Sequence, residues 1–268
     1  MKEFKTARLS FLGSGTSQGV PIIGCSCKVC KSENPKDKRL RSSALIEYLG
    51  FKILIDAGPD FRQQLLRADI KDLDAILLTH EHKDHTGGLD DVRALNYING
   101  KALPIYCEER VLRSLEREYS YAFEENRYPG VPEFDIRLID KEKFIIRREN
   151  GKSHLQGIEI LPIRVYHYKL PIFGYRIGDI AYITDANKID DESFELLKGV
   201  KILVVNTVRH AKHISHFSLA EAIEVAKRVG AERTFLTHLS HQIGTHEELS
   251  SELPQGVYVA YDGLSVEI

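Results

Sequence analysis

The densest chemistry in the chain lies in Thr79-His80-Glu81-His82-Lys83-Asp84-His85-Thr86-Gly87-Gly88. Five metal-competent side chains occupy six consecutive positions, directly after the apolar run Ala75-Ile76-Leu77-Leu78. The spacing predicts a strand that delivers His80 and His82 at its end. Residues i and i+2 of an extended chain point the same way, so both imidazoles can meet one ion. A turn immediately afterwards would aim Asp84 and His85 at a second ion close by. The plainer reading is a solvated charged loop. Surface loops rarely need three histidines, however, and neutral imidazole is the commonest metal ligand.

A second cluster is Cys25-Ser26-Cys27-Lys28-Val29-Cys30. This C-x-C-x-x-C spacing supplies three soft thiolates, enough for a structural zinc with one further ligand. His241, three residues after His238, is a good fourth ligand. Buried thiols or a redox pair are the alternatives. Cys107 follows a strand, has no partner nearby in sequence and reads as core. His167, Asp185 and His238 each stand at the end of an apolar segment, where a sheet can hold a side chain rigidly. Taken singly, each would pass for a satisfied structural residue.

The elements that must position these groups are short. Strands are predicted at Arg8–Leu12, Ala44–Leu49, Lys52–Asp56, Ala75–Thr79, Leu103–Tyr106, Ile158–Tyr166, Gly174–Ile177, Ala181–Thr184, Lys201–Asn206, Thr234–Thr237 and Val257–Ala260, rich in Val, Ile, Leu and Tyr and bounded by turn formers. Leu45–Asp56 reads as a hairpin turning at Leu49–Gly50. Helical periodicity covers Pro59–Ala68, Asp91–Ile98, Glu108–Tyr119, Asp191–Leu197 and Ser218–Val229. Tyr119–Phe134 is the most irregular stretch and reads as a loop or flap. No repeat or linker divides the chain, so 1–268 is expected to be one mixed α/β domain, with a small zinc element at 25–30 and 241.

Composition agrees with a packed core and excludes little. The chain has 268 residues, 43% hydrophobic, with a formal net charge of -2. A large basic surface for nucleic acid is not indicated. The opening MKEFKTARLSFLG has no apolar core or cleavage site of a signal peptide, and no run of ~18 apolar residues marks a membrane span. A cytoplasmic protein without membrane contact is therefore expected. In that reducing compartment the cysteine cluster fits a metal better than a disulfide.

The His80-x-His82-x-Asp84-His85 run resembles the H-x-H-x-D-H motif of the metallo-β-lactamase superfamily, and His167, Asp185 and His238 follow in the order that family uses. The resemblance implies an αββα sandwich, two mixed sheets face to face with helices outside. It also implies two catalytic divalent metals, zinc or manganese, with iron open as well. By that resemblance His80, His82 and His167 hold the first, Asp84, His85 and His238 the second, and Asp185 bridges both. The implied reaction is hydrolysis by a metal-bound hydroxide. Asp185 in the bridging position looks like the hydrolase and phosphodiesterase branches rather than the β-lactamases.

Two segments narrow the branch. His216-Phe217-Ser218-Leu219-Ala220-Glu221-Ala222 looks like the motif before the same helix in tRNA 3′-end nucleases and cyclic phosphodiesterases, where the histidine assists departure of the leaving oxygen. His216 is the implied general acid, unless it only makes a local bond at the helix start. His213 close by is a further candidate. Gly13-Ser14-Gly15-Thr16-Ser17 with the three cysteines and His238-x-x-His241 looks like the PhnP-type phosphoribosyl cyclic phosphodiesterases, which carry a Cys₃His zinc beside the catalytic pair.

The resemblance thus implies a phosphodiesterase for a small phosphodiester, cyclic ribosyl esters among them, and a homodimer. The alternatives are a tRNA 3′-end-type endoribonuclease and a glyoxalase II-like thioester hydrolase. RNA is disfavoured by the charge and by the lack of a Gly/Pro-rich arm. The three cysteines and the strand-like Gly256–Ile268 depart from the glyoxalase pattern. A noncatalytic zinc protein fits the complete ligand set poorly.

Overall fold

The computed structural model describes residues 7–148 and 156–268. The start of the N-terminal segment read above for a signal peptide, and His154, lie outside the described residues. The first sheet is built from β1 (Arg8–Gly13), β2 (Ser43–Tyr48), β3 (Phe51–Ile55), β4 (Ala75–Leu77), β5 (Leu103–Cys107) and β6 (Phe134–Leu138). The second holds β7 (Phe144–Arg148), β8 (Gln156–His167), β9 (Leu170–Ile177), β10 (Ile180–Tyr182), β11 (Lys188–Ile189), β12 (Ile202–Asn206), β13 (Arg233–Thr237) and β14 (Val257–Val259). The last strand, β15 (Ser265–Glu267), returns to pair with β1.

Both sheets are mixed. The first runs β15-β1-β2-β3-β4-β5-β6, antiparallel as far as β3 and parallel from there. The second runs β11-β8-β9-β10-β12-β13-β14, antiparallel up to β10 and parallel beyond it, with β7 also on β8. Period-two alternation divides the strands between two environments. Phe51, Ile53 and Ile55 face the other sheet, where they meet Phe173, Tyr175 and Tyr182. Leu54 faces outwards into a layer formed by α2 (Phe61–Arg67), α4 (Val92–Asn99) and α5 (Glu109–Glu118). In β12, Ile202 and Val204 point to the centre, whereas Leu203 and Val205 meet the outer layer containing α7 (Asp191–Leu196), α8 (Leu219–Val229) and α9 (His246–Glu252). Burial on both faces explains why these strands read as continuous apolar runs. The architecture is the αββα sandwich.

The sheets are tied together at the edge where β4 ends. Phe173 N donates to Thr79 O at 3.1 Å and the Tyr175 hydroxyl donates to Leu78 O at 2.6 Å. The hairpin at Leu49–Gly50 forms as its sequence indicates. Within 119–134 the chain is more ordered than a free flap. Tyr119 is buried and its hydroxyl donates to Thr86 O at 2.8 Å, and α6 (Ser120–Phe123) follows before an exposed stretch leads to β6. Among the described residues no helix is long and apolar enough to cross a membrane.

Candidate metal centre

Three parallel strands end in the same way: Leu78-Thr79-His80, Ile183-Thr184-Asp185 and Leu236-Thr237-His238. Each threonine is fully buried, and each strand releases its next side chain at one edge of the sandwich. Asp185 (φ 57°) and His238 (φ 56°) adopt the left-handed conformation there, as does Asp56 (φ 61°) at the end of β3. Such backbone costs about 1–3 kcal/mol per non-glycine residue and persists where the surroundings hold it. Its concentration at one edge marks a site.

The loop after β4 wraps this edge. His82 is the N-cap of α3 (Lys83–Thr86), whose single turn carries Asp84 and His85. It lies over the chain at Asp56-Ala57-Gly58: Ala57 N donates to His85 O at 2.8 Å, and Gly88 N to Ala57 O at 2.9 Å. The approach is so close that a Cβ on Gly58 would stand 2.0 Å from Asp84 O. Only glycine fits there.

The side chains converge. His80 is central, its ring centroid 4.6 Å from His82, 4.2 Å from His85 and 5.6 Å from His167. Asp185 Oδ2 lies 3.5 Å from His80 Nε2 and 2.9 Å from His85 Nε2, and Asp185 Oδ1 lies 2.9 Å from His238 Nδ1. Asp84 Oδ2 stands 3.2 Å from His85 Nε2. Three overlapping groups have ligand atoms within 4.8 Å of one another: His80, His82 and His167; His80, His85 and Asp185; Asp185, His216 and His238. The rings of His167, His238 and His213 surround His216 at 4.7 to 4.9 Å.

Outer partners fix the imidazoles. His85 Nδ1 donates to Asp56 Oδ2 at 2.7 Å, and Asp56 also accepts from Thr79 N and Oγ1. Thr79 Oγ1 lies 2.9 Å from His80 Nδ1. Asp56 therefore orients two histidines at once, as partners behind metal ligands do. The sequence reading passed over it; its signal was an aspartate closing the apolar run Ile53-Leu54-Ile55. His167 Nδ1 donates to Ser215 O at 2.9 Å, and Ser42 Oγ lies 3.2 Å from His238 Nδ1 while donating to Gly15 O. The Gly13-Ser14-Gly15 turn thus lies behind His238.

Burial, then the neighbouring His85, pushes His80 well below the ordinary imidazole range, and burial with His167 lowers His82. Burial opposes ionisation of Asp84 and Asp185, yet His85 beside the first, and His238 and His85 beside the second, hold both carboxyls below their usual range. His85 goes the other way: burial opposes its charge, but Asp185, Asp56 and Asp84 raise it well above the ordinary imidazole range. Neutral imidazoles and charged carboxylates are the forms that bind metal, so a cation here would take the place of the His85 proton. His80 Nε2 is buried and has no hydrogen-bond partner among the described residues, while His85 Nε2 faces the Asp185 and Asp84 carboxylates at 2.9 and 3.2 Å. A buried polar atom without a partner is costly, and a divalent cation would satisfy His80 Nε2.

The cysteine cluster forms a second, separate group. His241 Nδ1 stands 3.3 Å from Cys25 Sγ, 3.4 Å from Cys27 Sγ and 3.6 Å from Cys30 Sγ. Tetrahedral zinc, with bonds of ~2.3 Å to sulfur and ~2.0 Å to nitrogen, sets S···N edges of about 3.5 Å. The Cys30 N–H and the His241 ring hold the Cys27 thiol down at about 6, whereas burial pushes Cys30 up to about 11. His238 and His241 share the loop after β13, so this element abuts the histidine-rich edge. If it holds zinc, Cys27→Ala is expected to release that ion and lower Tm by roughly 5–10 °C. Elemental analysis with calorimetry checks this; unchanged zinc content and an unchanged melting curve contradict it.

Among the described residues, His210, His246 and Cys107 do not join either group. His210 Nε2 donates to Ile243 O at 3.2 Å, His246 opens α9, and Cys107 is buried beneath α5, where burial pushes its thiol up to about 12.

Comparison with known proteins places this geometry. The family described as Beta-lactamase superfamily domain matches residues 52–239. An octanoyltransferase of Porphyromonas gingivalis is 42% identical over 263 residues, 97% of this chain but 51% of that protein. The chain thus spans about half that relative's length. A ribonuclease Z of Pyrobaculum islandicum is 33% identical, covering 85% of this chain and 92% of its own. Among solved structures, a diphosphatase from the PhnP family superposes with a TM-score of 0.88 at 41% identity, over 98% of this chain and 97% of the other.

Proposed function

The chain belongs to the β-lactamase superfamily and is a metal-dependent hydrolase of that fold, and we propose that it cleaves a small phosphodiester at a centre for two cations shared through Asp185. The observation that carries this reading is the position of the Asp185 carboxylate, with one oxygen beside His80 and His85 and the other beside His238. His80, His82, His167 and Asp185 would hold one divalent ion, and Asp84, His85, His238 and Asp185 the other, with zinc or manganese the best match to these donors. When bound, two such ions would supply a nucleophile from water near neutral pH and would neutralise charge on phosphoryl oxygens.

The chain's own residues do the rest. Asp56 and Thr79 fix His80 and His85, and Ser215 O fixes His167. His216, between His167 and His238, stands where it can hold a proton for the departing oxygen. Burial pulls this imidazole down to about 3, with Asp185 opposing and His238 assisting, and a phosphate anion beside it would favour its charged form.

The PhnP-family neighbour is a diphosphatase, and this widens the class. In a disubstituted diphosphate each phosphorus carries two bridging oxygens and one negative charge, as in a phosphodiester. An RNA substrate is a second reading, favoured by the 33% identity to a ribonuclease Z. Turnover of metal-analysed protein, measured side by side on ribose 1,2-cyclic phosphate esters, linear phosphodiesters, a disubstituted diphosphate, pre-tRNA and a glutathione thioester, tests the proposal. Selectivity for a small phosphorus substrate supports it. Preference for pre-tRNA or the thioester overturns the substrate class.

A further inference from the structure

His80 and His82 face the site, so Glu81 between them faces away on the extended chain. Its carboxylate accepts two bonds from Arg110 Nη1, one of them at 2.5 Å. Arg110 is the second residue of α5, and its other nitrogen, Nη2, donates to Pro171 O at 2.7 Å. Pro171 pairs with Tyr166 in the β8–β9 hairpin, and the adjacent pair is Leu170 with His167. One guanidinium therefore joins the segment that carries His80 and His82 to the hairpin that carries His167.

The link continues. Arg110 Nη2 lies 3.6 Å from Glu108, and Glu108 accepts from Arg164 at 2.6 and 3.1 Å. The Arg164 guanidinium rests 3.8 Å from the Phe173 ring centroid, and Phe173 N is bonded to Thr79 O. Glu81, Arg110, Glu108 and Arg164 are 20–33% exposed, so the ladder is partly shielded from water. Networked, bidentate pairs of this kind hold geometry better than isolated surface pairs do.

We propose that Arg110 is a positioning residue: through Glu81 and Pro171 it sets the spacing between His80/His82 and His167, and with it the affinity of that half of the centre for a divalent cation. The inference rests on the reading that these three histidines hold one ion. It touches no reacting atom, so its signature is metal affinity rather than turnover alone.

The test is a calorimetric titration of metal-stripped wild type, Arg110→Gln, Arg110→Lys and His82→Ala with Zn²⁺, each checked for Tm. Arg110→Gln is expected to weaken one catalytic-centre zinc by about 10-fold, at the lower end of the usual effect of partners behind metal ligands. Arg110→Lys, which keeps the charge but not the fork, should fall between. Zinc at the Cys25–His241 group should be unaffected. If His82→Ala weakens zinc and Arg110→Gln does not, the positioning role is overturned. If His82→Ala itself binds zinc like the wild type, the ligand reading fails instead. Should Arg110→Gln not fold, Glu81→Gln breaks the same link from the other end, with the same two outcomes.

Discussion

Asp185→Ala is expected to release at least one catalytic metal and to lower turnover by more than roughly 10³-fold, beyond the usual effect of removing a single transition-state donor. The reason is position. Asp185 follows a buried strand end in strained left-handed backbone, and its two oxygens reach different imidazoles, His85 and His80 on one side and His238 on the other. Removing it deprives both proposed ions of a ligand and takes from His80 and His238 the carboxylate beside them. The sheets do not depend on this carboxylate, so circular dichroism should match the wild type. Elemental analysis that finds two retained catalytic metals counts against the bridging role.

The second large effect is at His216. His216→Ala is expected to keep the metals and slow turnover by roughly 10²–10⁴-fold, the range for a positioned acid–base group. The loss should be large for a substrate with an alkoxide leaving group and small for one with a nitrophenolate, which departs without a proton. This contrast separates proton donation from mere support of the helix start, since the cap of α8 comes from Ser218 and Glu221. Equal loss on both substrates, or no loss on the poor leaving group, removes the acid role.

His80, His167, Asp185 and His238 were legible because each closes or follows an apolar strand, and a buried strand that stops at a histidine or aspartate leaves a readable break in the pattern; His82, Asp84 and His85 were legible from their spacing behind His80. The cysteines were legible from spacing, and His241 from its closeness to His238. Asp56 was not: it is a single aspartate whose work, holding His85 and Thr79, exists only after β3 and β4 pair. Arg110 and Glu81 escaped for the same reason, being 29 residues apart and joined only by the fold. Among the elements, β6 and β7 were missed because their sequences, FDIRL and FIIRR, mix charge into strands of largely incomplete burial. The helices α1 (Lys28–Lys31) and α3 are four residues long, too short for periodicity to show and too short to form without tertiary contacts. By contrast α8 was plain, because an eleven-residue amphipathic pattern begins at a Ser-x-x-Glu capping box.

If two ions act together across Asp185, turnover requires both, and a titration of metal-stripped protein with Mn²⁺, reading bound metal and phosphodiester turnover in the same samples, shows whether it does. With the Cys25–His241 group loaded with zinc beforehand, turnover is expected to stay low through the first manganese equivalent and to rise with the second. Full turnover with one equivalent, or in protein stripped of metal, rules out the shared centre.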